Sequence, residues 1–167
     1  NVKNYDDKCI LYNIVLAKFS SEIKEDLTKP KNLEKYIEYI DQKDVEYPVI
    51  EKDIHFLERN NRSTLNIAIN VWKFYSINHI EPYYISKNNS KGHTNCNMLM
   101  VEKKDNDDTI ANHLIYIKDL NAVFRAKQTN GTYQKRKNYF CPACKCFSTC
   151  SHVKMTKHFK TCSKPTL

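Results

Sequence analysis

The segment YFCPACKCFSTCSHVKMTKHFKTC near the end of the chain constrains it most. Five of the seven cysteines, Cys141, Cys144, Cys146, Cys150 and Cys162, lie in the last 27 residues. Cys141 and Cys144 have the C-x2-C spacing that lets two thiolates grip one ion from a tight knuckle. His158 and Cys162, four apart, fall one turn apart on one face of a helix. Together they offer a tetrahedral sulfur and nitrogen donor set, which suits zinc. Thirteen residues separate Cys144 from His158, near the 12 usual in two-Cys, two-His fingers. Tyr139 or Phe140, Phe147 and Met155 would form the small core beneath the ion. Phe147 lies one residue closer to the knuckle than usual, so Cys146, Cys150 and His152 are competing ligands. The outer four are preferred because they alone give both a knuckle and a helical pair.

Charge divides the chain at the same place. Residues 121–167 carry 10 Lys+Arg and no Asp or Glu; the preceding 120 residues carry 17 against 19. The formal net charge of +8 therefore arises in the tail. An odd cysteine count clustered this way argues against a disulfide framework and for a reducing, intracellular setting, nuclear or cytoplasmic. No run of residues is long and apolar enough to predict a membrane span. No motif calls for a small-molecule cofactor. The organisation expected is an α+β body over 1–127, a basic linker over 128–138 and a ββα-type zinc finger over 139–167.

The body reads as N-terminal helices on a small, mostly antiparallel sheet. Asp6 or Asp7 would cap a helix through CILYNIVLAKF, with Ile10, Leu11, Ile14 and Ala17 as its apolar stripe. Leu33, Tyr36, Ile37 and Ile40 have helical spacing, and Pro48 marks the approach to a further helix through DIHFLERNN. Leu65, Ile67, Ile69 and Val71 alternate with Asn66, Ala68, Asn70 and Trp72 as in a strand. PYYIS (82–86), CNMLMVE (96–102) and HLIYIK (113–118) are the next strands, and 119–127 a closing helix. Helices first and strands afterwards indicate α+β rather than βαβ repeats.

Two functions follow from these features. With His158 as the first helical ligand, the base-reading positions would fall near Ser151, Lys154 and Lys157. Lys160 and the linker residues Lys135, Arg136 and Lys137 extend a cationic surface without a carboxylate. Nucleic acid is the natural partner, DNA before RNA, through salt-sensitive phosphate contacts. A protein partner docked by finger and body together is the alternative of a different kind. The second function is cysteine chemistry in the body. Cys9 stands at a helix start, where the dipole lowers a thiol pKa. A histidine base would come from His113 or His93, each at the edge of a predicted strand. Papain-like enzymes share this order. Asp119 is a poor third member, about 20 Å along an extended strand from His113; Asn112 and Asn95 are alternatives. His55 and His79 read as surface residues.

Several stretches together resemble the region upstream of the polymerase core in protein-primed B-family DNA polymerases of Maverick/Polinton elements and related adintoviruses. They are DKCILYNIVLAKF, VEYPVIEKDIHFLERNNRSTLNIAINVW, PYYISKNNSKGHTNCNMLMVE, HLIYIKDLNAVF and YFCPAC followed by KHFKTC. Their order, over roughly residues 5–163, carries the resemblance more than any one motif. It implies a DNA-associated module with a zinc finger, attached to or derived from a mobile-element replication protein. It also implies a papain- or OTU-like body, in which Cys9 and His113 would be the protease or deubiquitinase pair. The sequence departs from the family at Ile10-Leu11-Tyr12, where an aromatic pair is usual. Polymerase and exonuclease motifs are absent from these 167 residues.

Overall fold

A computed structural model describes residues 7–76, 79–89, 92–104, 110–123, 139–141, 144, 148–149 and 151–162. Helix α1 (Cys9–Phe19) opens the body. All eight residues from Cys9 to Leu16 are buried. The single apolar stripe expected from the sequence is therefore too narrow. The helix packs on α2 (Lys31–Ile37) from one side and on the sheet from the other. A helix enclosed in this way needs apolar residues around most of its circumference. Its N-cap is Lys8, without a side-chain hydrogen bond, so Asp7 does not cap it as expected. Asp6 lies outside the described residues. Leu33 and Ile40 are buried, with Tyr36 and Ile37 packed on the same core. Helix α3 (Glu51–Asn60) begins three residues beyond Pro48. Asp53 fixes its start by accepting a hydrogen bond from the Ile50 N–H at 2.9 Å.

The sheet contains β1 (Ile67–Ser76), β2 (His79–Ile85), β3 (Thr94–Lys104) and β4 (Ile110–Tyr116) in the order β2-β1-β3-β4. The β1–β2 and β3–β4 ladders are antiparallel, and the central β1–β3 ladder is parallel. The sheet is thus mixed. Alternation along a strand assigns its two faces but not its neighbour. That is why the parallel pairing was not legible. Ile67, Ile69, Val71, Met98, Met100 and Leu114 face the core beneath α1, α2 and α3. Trp72, Ile85 and Ile117 cluster on the other face, with Leu120 and Val123 of the short helix α4 (Leu120–Val123). The remainder of the helix expected through 127 lies outside the described residues, as does the linker over 128–138.

The tail forms a hairpin, β5 (Tyr139–Phe140) with β6 (Ser148–Thr149), followed by α5 (His152–Thr161). Tyr139 pairs with Thr149 and Phe140 with Ser148, antiparallel. The order is the ββα expected of it.

Candidate metal centre

Cys141 follows β5 directly, and Cys144 sits in the turn beyond it. His158 lies in the last turn of α5, and Cys162 is its C-cap residue. Helical spacing aims both back at the hairpin. The four ligand atoms, three sulfurs and an imidazole nitrogen, lie within 4.8 Å of one another. Cys141 and Cys162 Sγ are 3.6 Å apart, and Cys144 Sγ is 3.4 Å from His158 Nε2. A tetrahedral zinc with ~2.3 Å bonds to sulfur and ~2.0 Å to nitrogen needs edges of roughly 3.5–3.8 Å. The Cys141–Cys162 and Cys144–His158 separations are close to those edges. None of these cysteines is in a disulfide. Cys141, Cys144 and Met155 are buried together, with Cys162 against them.

Electrostatics points the same way. The Cys162 thiol is pushed up to about 12, first by desolvation, then by hydrogen bonding with Cys141 and Cys144 and by their charges. Crowded against two other sulfurs, the Cys162 thiol resists ionisation, and a bound dication reverses that preference. With four protein donors the coordination shell is closed, as in structural rather than catalytic sites.

The sequence candidates fall into place unevenly. Cys141, Cys144, His158 and Cys162 come together as a group that can hold a metal ion. Cys146 and Cys150 lie outside the described residues, and His152 is exposed in the first turn of α5. Lys154, Lys157 and Lys160 are exposed along α5. Ser151 is its N-cap residue, and its hydroxyl accepts from the Lys154 N–H at 3.3 Å. Sequence reasoning assigned Ser151 to a partner and missed this local role. A serine four residues before Met155, the first inward apolar residue, was a usable signal only once the helix start was known. Lys135, Arg136 and Lys137 lie outside the described residues.

Cys9 and His113 are placed on different faces. Cys9 is buried, and its sulfur accepts from the Leu114 N–H at 3.4 Å. Leu114 turns into the α1 core beside it. His113, the preceding residue of β4, therefore points to the opposite face of the sheet. Asn13 reinforces the α1–β4 contact by donating to the Leu114 carbonyl at 2.9 Å. Asn95, Asn112 and Asp119 are exposed, and His93 is half-buried. His55 is exposed on α3, as expected, and the His79 side chain lies outside the described residues.

No protein-family model, curated protein or solved structure matches the chain. The resemblance to the Maverick/Polinton polymerase region therefore rests on the quoted motifs alone. Among the described residues, no helix is long and apolar enough to cross a membrane.

Proposed function

We propose that the tail is a Cys3His zinc finger through which the chain binds nucleic acid, DNA in preference to RNA, without catalysing a reaction at the metal. The observation that carries this reading is the four-ligand cluster at the junction of hairpin and helix. Its helix opens at His152, which puts Ser151, Lys154 and Lys157 at positions −1, 3 and 6, where finger helices meet base edges. The Ser151 hydroxyl caps the helix, so the two lysines carry the contact. With Lys160 they form an exposed stripe at i, i+3, i+6. No carboxylate in residues 121–167 opposes it. A single finger spans about three base pairs, so its contribution is phosphate-driven and weakly sequence-specific. A role as a recruitment module of a mobile-element replication protein is consistent with this chemistry.

The test is binding of zinc-loaded chain to duplex DNA and RNA over a salt series, beside Cys141→Ser/Cys144→Ser, with metal content measured on both. Metal-dependent binding that weakens steeply with salt supports the reading; one zinc per chain with no binding overturns it. Val153 and Phe159 stand 65% and 55% exposed on α5. They favour protein docking by the same helix as the second reading. It predicts a discrete partner whose binding is insensitive to salt.

A further inference from the structure

A groove of about 680 Å³ runs between α3 and the end of β2. Its floor is Tyr84 and the carboxylate of Glu58, which is 4% exposed; Ile85 borders it from β2, with its side chain in the cluster on the other face. Its rim is basic. Arg59 and Arg62 project from the α3 side and Lys87 from the loop after β2, all exposed. Lys52 and Glu51 also border it, and Lys52 is drawn to Glu46 at 3.3 Å.

The groove is built rather than incidental. One Glu58 oxygen accepts from the Ile69 N–H at 2.8 Å, and the other accepts from Asn88 Nδ2 at 2.9 Å. This locks α3 to β1 and to the Lys87 loop. Buried Asn70 anchors the same loop, accepting from the Ser86 N–H at 3.2 Å and from Asn89 Nδ2 at 2.8 Å. Arg59 is held over the Phe56 ring at 4.8 Å, with its guanidinium donating to Asn60 Oδ1. The carboxylate at the bottom and Arg59 at the edge thus keep fixed places.

We infer that this groove takes one unstacked nucleotide of a single-stranded nucleic acid, its phosphates on the Arg59, Arg62 and Lys87 rim and its base over Tyr84. The inference rests on the nucleic-acid reading and extends it from the tail to the body. A wholly basic groove would suit any polyanion. Here a buried carboxylate lies beneath the cations, so the ligand must present negative charge outside and hydrogen-bond donors inside. A nucleotide does both. Aromatic floors accept base faces, and splayed bases are read on their edges. Each Glu58 oxygen has a lone pair to spare, and a carboxylate accepts well from an exocyclic amino group. Cytosine and adenine offer that group. Thymine offers one ring N–H between two carbonyls, which the carboxylate repels.

The experiment measures anisotropy of labelled oligo-dC, oligo-dT and a duplex against zinc-loaded full chain, Arg59→Glu/Arg62→Glu, Lys87→Glu and Cys141→Ser/Cys144→Ser. Both groove variants alter exposed side chains and should fold as the parent does. The expected result is oligo-dC bound more tightly than oligo-dT. Single-strand affinity should fall about tenfold or more in each groove variant, with a salt slope shallower by roughly 0.7 for each phosphate no longer neutralised. Duplex binding should survive in the groove variants and fail in the cysteine variant. Unchanged single-strand affinity in both groove variants overturns the groove assignment and leaves the finger reading standing. Equal binding of oligo-dC and oligo-dT overturns the Glu58 assignment. Duplex binding that persists in the cysteine variant sinks the finger reading instead, while the single-strand arm still decides the groove.

Discussion

Removing the metal should melt α5 and leave the body folded. The helix has 10 residues, below the ~12–15 at which isolated helices become even marginal in water. Three of them, Val153, Thr156 and Thr161, are β-branched and propagate helix poorly. Nucleation at σ near 10⁻³ costs about 4 kcal/mol. Met155 is the one buried residue of the helix, and its burial returns about 2 kcal/mol. The metal-free helix is therefore short by about 2 kcal/mol, or about 30 to 1 against, before the hairpin is ordered. Zinc contributes an apparent ~10–16 kcal/mol in finger peptides, far more than that deficit. The body draws on a different cluster, from Cys9 to Leu114, which includes none of the four ligands. Circular dichroism on chelation is the assay, with metal loss confirmed by mass spectrometry. Helices α1 to α4 hold 11, 7, 10 and 4 residues, so loss of α5 should remove about a quarter of the helical signal. The cooperative melt of the body should persist. Cobalt(II) added back should show thiolate-to-metal charge transfer and restore the signal. Unchanged helicity after complete metal removal would refute the reasoning.

Two smaller perturbations probe the same physics. Ser151→Ala removes the α5 cap at a cost of about 1 kcal/mol; because helix formation and metal binding are linked, zinc affinity should fall about fivefold in a chelator competition, and an unchanged affinity would contradict the linkage. Tyr47 donates to Gln42 Oε1 at 3.0 Å, and burial, followed by the Asp53 charge, raises its phenol from 10.0 to about 12. The folded state holds that proton more tightly than the unfolded chain, so its contribution is complete below pH 10 and disappears as pH climbs towards 12. Tyr47→Phe should decline less steeply over that interval in melts taken at each pH, and parallel declines would contradict the assignment.

The elements of the body were legible where apolar residues recur with a simple period. The alternation through Ile67, Ile69 and Val71 identified β1 and its inward face correctly. The period failed at α1, where residues from Cys9 to Leu16 are all buried and nothing in the pattern distinguishes one face. It could not reach the parallel β1–β3 ladder, because pairing Ile69 with Cys96 depends on where the intervening hairpin packs. Asn70 shows the same limit in another form. It alternates with the inward Ile69 and Val71, yet it is fully buried as they are. Its amide is satisfied by Asn89, Asn97 and the Ser86 backbone, partners that only the fold supplies.

The two candidate sites differ in legibility for a chemical reason. Metal coordination demands donors of a few types at spacings set by a knuckle and a helical turn, so Cys141, Cys144, His158 and Cys162 announce themselves in order. Cys9 and His113 also satisfied a sequence order, but order does not determine which side of a strand a residue occupies. Here it puts the thiol in the α1 core and the imidazole on the other face. The groove announces itself least. Its basic wall is visible in retrospect as His55, Arg59 and Arg62 at i, i+4 and i+7 on α3 and just beyond its end. Its meaning depends on Glu58 bonding Asn88, 30 positions away, and on a loop held by Asn70. Recognition of a nucleotide requires charge at the rim and a carboxylate at depth. Depth is a property of the packed α3 and sheet, and no linear spacing encodes it.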